Sequence, residues 1–239
     1  IQRRDQAGAG KEETAVKISY NRQAAVEYAQ TWALDRNEEW ADYSMNGGNC
    51  QNFVSQCLLA GGIPMDTQGE SVWKWYGDTP NNLPNMQGRS ASWSGVDEFL
   101  NYARENEGSG LAAIVDASYD TGEVGDVLIV GYGEEELYHA VMITDVVTDE
   151  DGNVIDYLVC SNTANQKDYP ISAYGYTYQV LITFADDCLF LGELIDDICI
   201  RSTWFKWIGL EWIHDNDASI FGASQFDRNW TVLFLHVFP

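Results

Sequence analysis

Hydrophobic and polar positions along the first hundred residues repeat with the period of helices. In YNRQAAVEYAQTWALD (20–35), Ala24, Ala25, Tyr28, Ala29, Trp32 and Ala33 share one face, and Asn21 stands where a side-chain N-cap is expected. Arg36 to Asn49 reads as a loop that closes in Asn46-Gly47-Gly48-Asn49. A second helix is expected from Cys50 to Ala60, with Cys50, Phe53, Val54, Cys57 and Leu58 at i, i+3, i+4, i+7 and i+8 and a stop at Gly61-Gly62. Ile63 to Gly95 reads as loop, with Pro64, Pro80 and Pro84 among polar and aromatic residues. VDEFLNYARENEG then puts Val96, Phe99, Leu100 and Ala103 on one helical face.

Beyond this point the period becomes that of strands. GDVLIVG (125–131), HAVMITDVV (139–147), YLVCS (157–161) and YQVLITFA (178–185) are β-rich runs, and Asp151-Gly152 marks a hairpin between the second and third. Helices followed by a meandering sheet predict an α+β domain over residues 18–185, with N-terminal helices packed on an antiparallel β-sheet. Residues 1–17 read as a polar leader. Residues 186–239, with STWFKWIGLEWI and WTVLFLHVF, read as a C-terminal extension of unknown role, expected to pack on the main domain.

Charge and composition narrow the function classes. The formal charge of −24, from 37 acidic and 13 basic residues, repels phosphate backbones and argues against nucleic acid as a partner. No apolar run reaches the length of a membrane span. Five cysteines at these spacings fit no zinc ribbon, and HExxH, GxSxG and phosphate-binding glycine motifs are absent, so no metal or other cofactor is implied. Cys50 and Cys57 on one helix would stand roughly 10 Å apart, too far to bridge. Cys188 and Cys199 are either a disulfide pair or two free thiols.

Cys50 sits in the first turn of its expected helix, after a glycine-rich loop. Free N–H groups there favour a thiolate and can hold an oxyanion, although an inert buried cysteine is the commoner occupant of such a place. His139, one of three histidines, opens the most strand-like run, where a strand end can aim its ring at a facing helix. Asn162 ends the next strand, and hairpin pairing could bring it beside His139. Trp73, Trp75, Tyr76 and Trp93 either line a groove or cover the core.

The segment NGGNCQNFVSQCLLAGG resembles the nucleophile helix of the Putative amidase domain family, which is similar to the CHAP and NlpC-type cysteine peptidases of the papain-like fold. The resemblance continues, in order, through YNRQAAVEYAQTWA, SWSGVDEF, GDVLIV, YHAVMIT and SNTANQKDYPIS. It implies a papain-like fold with Cys50 as nucleophile, His139 as general base and Asn162 as the residue that orients the ring. The chain departs from the family in two places: SNTAN stands where a histidine is usual, and Asn49 where Asp usually precedes the cysteine. Asn46 and Asn49 are the candidate oxyanion donors; Tyr138, Trp93 and Trp75 are the candidates for touching substrate.

What the resemblance implies for activity is amide hydrolysis through a thioester, on peptides of bacterial peptidoglycan, in an extracytoplasmic or cell-wall-associated setting. The acidic surface fits poorly with unaided binding to an anionic wall, so a separate targeting domain is expected. Two other readings share the same residues: a non-catalytic binding module on this fold, and a thioester-based acyltransferase or transpeptidase.

Overall fold

The computed structural model describes residues 16–67, 71–77, 88–106 and 110–190. Most of the expected leader, the chain from residue 191 onward and the Cys188–Cys199 pairing lie outside the described residues. The architecture is α+β. Helices α1 (Arg22–Trp32), α2 (Cys50–Ala60), α3 (Ala91–Ser94) and α4 (Val96–Glu105) come before most of the strands. Strands β2 (Ala113–Ala117), β3 (Val127–Gly133), β4 (Glu136–Thr148), β5 (Val154–Ser161), β6 (Gln166–Pro170) and β7 (Tyr178–Phe184) form one sheet in the order β2-β7-β3-β4-β5-β6, antiparallel throughout. Among the described residues no helix is long and apolar enough to cross a membrane.

The local signals act as their chemistry requires. Asn21 caps α1, its side chain accepting from Ala24 N at 3.0 Å. The β4–β5 turn is held by Asp149, whose carboxylate accepts from the Asp151 and Asn153 N–H groups, with Gly152 at a φ of 84°. Two short edge strands, β2 and β6, had no pattern that announced them. Strand β1 (Val16–Ser19) pairs with β8 (Asp187–Phe190), so both borders of the expected 18–185 domain run into a two-stranded sheet.

Both faces of the large sheet are buried, which is why β3 reads as a continuous apolar run rather than an alternating one. Val127, Ile129, Ala140 and Met142 face the helices, packing with Phe53, Val54 and Phe99. Leu128, Val130, Val141 and Ile143 face the other way, under Tyr157 and Ile171, with Tyr174 and Tyr176 packed alongside. Every residue of α2 from Cys50 to Leu58 is buried, not only its apolar stripe. The loop expected between residues 63 and 95 supplies the second cover: Trp73 and Trp93, both fully buried, close over the polar side of α2. Two of its polar side chains are paired there, while Gln51 Oε1 is left without a partner. Ser55 Oγ donates to Trp93 O and accepts from Trp73 Nε1, while Asn52 Oδ1 accepts from Trp93 Nε1.

Candidate active site

α2 lies across β4, and its first residue reaches the strand where β5 has ended. The β4–β5 ladder runs only as far as Met142↔Cys160, so that edge of β4 is open at Ala140. The backbone N–H groups of Ala140, Gln51 and Cys50 itself are the groups near the thiol that favour its charged form. They draw its pKa down, but burial is the larger effect and leaves the thiol above its ordinary value. The expected thiolate is thus a thiol in the resting structure, 7% exposed.

His139 precedes Ala140 on β4 and pairs with Val130 of β3. It is 5% exposed and its Nε2 is buried without a hydrogen-bond partner. Burial lowers its pKa to about 4. The ring rests on Tyr174 and Tyr176, with centroids at 5.6 and 6.5 Å. Because neighbours alternate along a strand, Ala140 faces the helices while the imidazole leans toward these two tyrosines on the other layer. No hydrogen bond joins it to Cys50 at rest. Tyr176 lies near enough to both that a negative charge on Cys50 would raise its own pKa. The bulge where β3 meets β4 beside His139 needs Gly131, since a Cβ there would run into the Glu136 carbonyl.

Asn162 is not beside the ring. Its Nδ2 donates to Trp32 O and Ala33 O at 3.1 and 3.0 Å, and its Oδ1 accepts from Asn49 Nδ2 at 2.9 Å. It ties the end of α1 to the residue that begins α2. Asn49, a candidate oxyanion donor, is spent in the same network: its Oδ1 accepts from Tyr43 N and Asn52 Nδ2, and its own N–H donates to Thr163 Oγ1 at 2.6 Å. Asn46 is exposed in the loop before it. Trp93 cannot touch a substrate. It is fully buried, stacked on Trp40 and tilted against Trp73. Trp75 is half-buried at the edge of that cluster, and Tyr138 is 57% exposed beside His139.

The structure therefore brings Cys50 and the His139 end of β4 together, and leaves Asn162 behind α2. What sequence reasoning missed is the Ala140 N–H and the pair Tyr174 and Tyr176. The tyrosine-dense YGYTY before β7 was a visible signal for the pair. The Ala140 donor depends on where β5 stops, which no local pattern states. Replacing Asn162 by Ala strands the Asn49 amide and two α1 carbonyls in a buried place. A loss of about 2–4 kcal/mol in denaturant titration is expected, at roughly 1–3 kcal/mol per orphaned group with partial rescue by water. The pH dependence of turnover should not move, as it would if Asn162 oriented the ring.

The candidate site is thus a buried cysteine at a helix N-terminus and a strand-borne histidine with an unpartnered Nε2, on an α+β frame. Residues 19–185 match the family model described as "Putative amidase domain", and the chain belongs to that family. The family description points to an amidase-like hydrolase. The chain is similar to "Uncharacterized protein YhbB" of Bacillus subtilis (strain 168), 30% identical over 138 residues, covering 57% of this chain and 40% of that protein. It is also similar to "Uncharacterized protein YjcM" of the same organism, 30% identical over 119 residues, covering 50% of this chain and 24% of that protein. The chain thus spans less than half the length of these curated relatives. No solved structure matches it significantly.

Proposed function

We propose that the chain is a cysteine amide hydrolase, with Cys50 as nucleophile and His139 as general base. The observation that carries this is the thiol among the N–H groups of Cys50, Gln51 and Ala140, next along the strand from an imidazole whose Nε2 is unpartnered. A neutral thiol and a neutral imidazole are the right resting pair for proton transfer on substrate binding. In this reading His139 takes the Sγ proton, and the thiolate adds to the amide carbonyl. The oxyanion then meets the N–H groups that held the thiol. His139 returns its proton to the leaving nitrogen, the amine departs, and water hydrolyses the thioester.

The order of parts, nucleophile helix first and base-bearing strand after it on an antiparallel sheet, is that of papain-like peptidases of CHAP and NlpC type. That likeness supports peptide amides of bacterial peptidoglycan as substrate and an extracytoplasmic place of action. Asn162 acts in this reading as a positioning residue for the start of α2. The test is to incubate the protein with purified muropeptides, quench in acid and weigh the peptide that carries Cys50. An acyl adduct that decays as free amine accumulates is expected. Amine release with no adduct on Cys50, under quench conditions that preserve a control thioester, overturns the mechanism. No amine release from any muropeptide overturns the substrate class.

A further inference from the structure

From His139 an unbroken row of aromatic rings leads outward along the β3–β4 hairpin. Tyr176 lies 6.5 Å from the imidazole, Tyr132 lies 5.3 Å from Tyr176, and Tyr138 lies 6.0 Å from Tyr132, all centroid to centroid. The inner end of the row is buried, and the outer two rings are not: Tyr132 and Tyr138 are each 57% exposed. The hairpin that carries them ends in Glu134, Glu135 and Glu136, all exposed. Gly133 pairs with Glu136, which leaves Glu134 and Glu135 as the turn itself. Among the described residues no ion pair reaches any of the three.

Three adjacent carboxylates without a counter-ion repel one another, and a hairpin turn has no need of them; glycine and asparagine serve it better. Exposed tyrosine faces are likewise a cost in water unless something covers them. Together they make the two halves of a cation site. Ring faces attract an ammonium through their quadrupole, and carboxylates supply the long-range field that gathers it. A third observation ties this surface to a ligand: the row starts at a histidine that is 5% exposed and has its Nε2 unsatisfied. The imidazole that carries this nitrogen sits against Tyr176, the inner ring of the row.

We propose that the hairpin Tyr132–Tyr138 selects amide substrates that carry a free ammonium group, held over Tyr132 and Tyr138 and against Glu134–Glu136 while the amide lies at Cys50. The inference rests on the Cys50–His139 reading and adds the substrate's charge class to it. The same surface disfavours substrates whose corresponding group is a carboxylate.

The experiment reads the site's preference with two thiol reagents of similar size and opposite charge, 2-(trimethylammonium)ethyl and 2-sulfonatoethyl methanethiosulfonate. Each forms a mixed disulfide with Cys50 and releases methanesulfinate, and labelling is followed by the mass of the Cys50 peptide in the full chain. At low salt the cationic reagent is expected to react at least roughly tenfold faster than the anionic one, with the preference shrinking in high salt. The whole chain is acidic, so the local contribution is isolated by two triple variants of equal charge change. E134Q/E135Q/E136Q is expected to cut the rate ratio at least about threefold. E27Q/E150Q/D151N, two of whose positions lie at the far end of β4, should leave the ratio near that of the parent. Tyr132→Leu should slow the cationic reagent and leave the anionic one unchanged. Equal rates for the two reagents, or equal effects of the two triple variants, overturn the cation site and leave the cysteine mechanism standing.

Discussion

Replacing Cys50 by Ala is expected to lower kcat for the proposed amide hydrolysis on the order of 10⁴-fold or more, since residues that act as one unit fail together. His139→Ala is expected to do nearly as much, and the double variant little more than either alone. The fold should hardly notice Cys50→Ala. The thiol is buried at a cost, and its loss removes one sulfur from a position bounded by backbone N–H groups that water or a neighbouring carbonyl can meet. A melting temperature within a few degrees of the parent is expected, against a turnover that is gone. The pH dependence carries the second half of the prediction. Burial lowers His139 to about 4, so the base stays neutral well below the imidazole's ordinary 6.5. In kcat/KM, the acid limb should therefore fall as pH drops through about 4, not through 6.5. Stability has the same sign: between 6.5 and about 4 the unfolded chain binds the proton and the folded one does not, so stability is lost as pH falls across that window, on the order of 3 kcal/mol. A Cys50→Ala protein that still turns over, or an acid limb at 6.5 that survives in His139→Ala, would sink the assignment.

Helices α1 and α2 were legible because their signals are local. The cap at Asn21 for α1, and for α2 the i, i+3, i+4 spacing from Cys50 and the glycines on either side, all act within one or two turns. The strand that carries His139 was legible for the same reason, although β4 begins at Glu136, three residues before the expected start. What local pattern could not state was direction. Whether a strand-end histidine faces the helices depends on the bulge at Gly131 and on alternation from Ala140, and here it turns the ring to Tyr174 and Tyr176. Asn162 illustrates the same limit. Hairpin pairing does bring the end of β5 toward β4, but the strand stops at Ser161, and Asn162 finds the open carbonyls at the end of α1 instead. The tryptophans were ambiguous between groove and core because both uses place aromatics in a loop. Asn52 and Ser55 decide it. They are polar groups on a buried helix, and the Trp93 and Trp73 ring nitrogens are what satisfy them.

The largest stability loss is expected from Asp126, a residue no motif announces. Asp126 is fully buried at the start of β3, and its partner Arg22 begins α1, 104 residues earlier in the chain. The guanidinium donates to Asp126 Oδ1 at 2.6 Å, to Asp186 at 2.7 Å and to the Phe184 carbonyl at 2.6 Å, binding the first helix to the adjacent start of β3 and end of β7. Burial, opposed by Arg22, pushes the Asp126 carboxyl up to about 6, so the pair is ionic at neutral pH. Asp126→Ala leaves a largely buried guanidinium facing only the more exposed carboxylates of Asp186 and Glu123. Loss of one partner of a buried pair costs about 3–5 kcal/mol, which at this chain length is a fall of about 10 °C in melting temperature. The reverse change is milder, and its pH dependence tells the two apart. Asp126 takes up its proton near pH 6 in the folded parent but only near 3.8 when unfolded, a gain in stability at low pH that Asp126→Ala lacks, so the cost of Asp126→Ala should grow as pH falls from 8 to 5. In Arg22→Ala the stranded carboxyl can neutralise itself. Its folded pKa then rises further above the unfolded value, so the deficit is largest at pH 8 and shrinks as pH falls toward 5. Arg22→Met with Asp126→Leu should recover much of the loss, because it removes both desolvated charges at once. Equal, pH-independent losses in the two single variants would mean that the ion pair is not what joins α1 to β3.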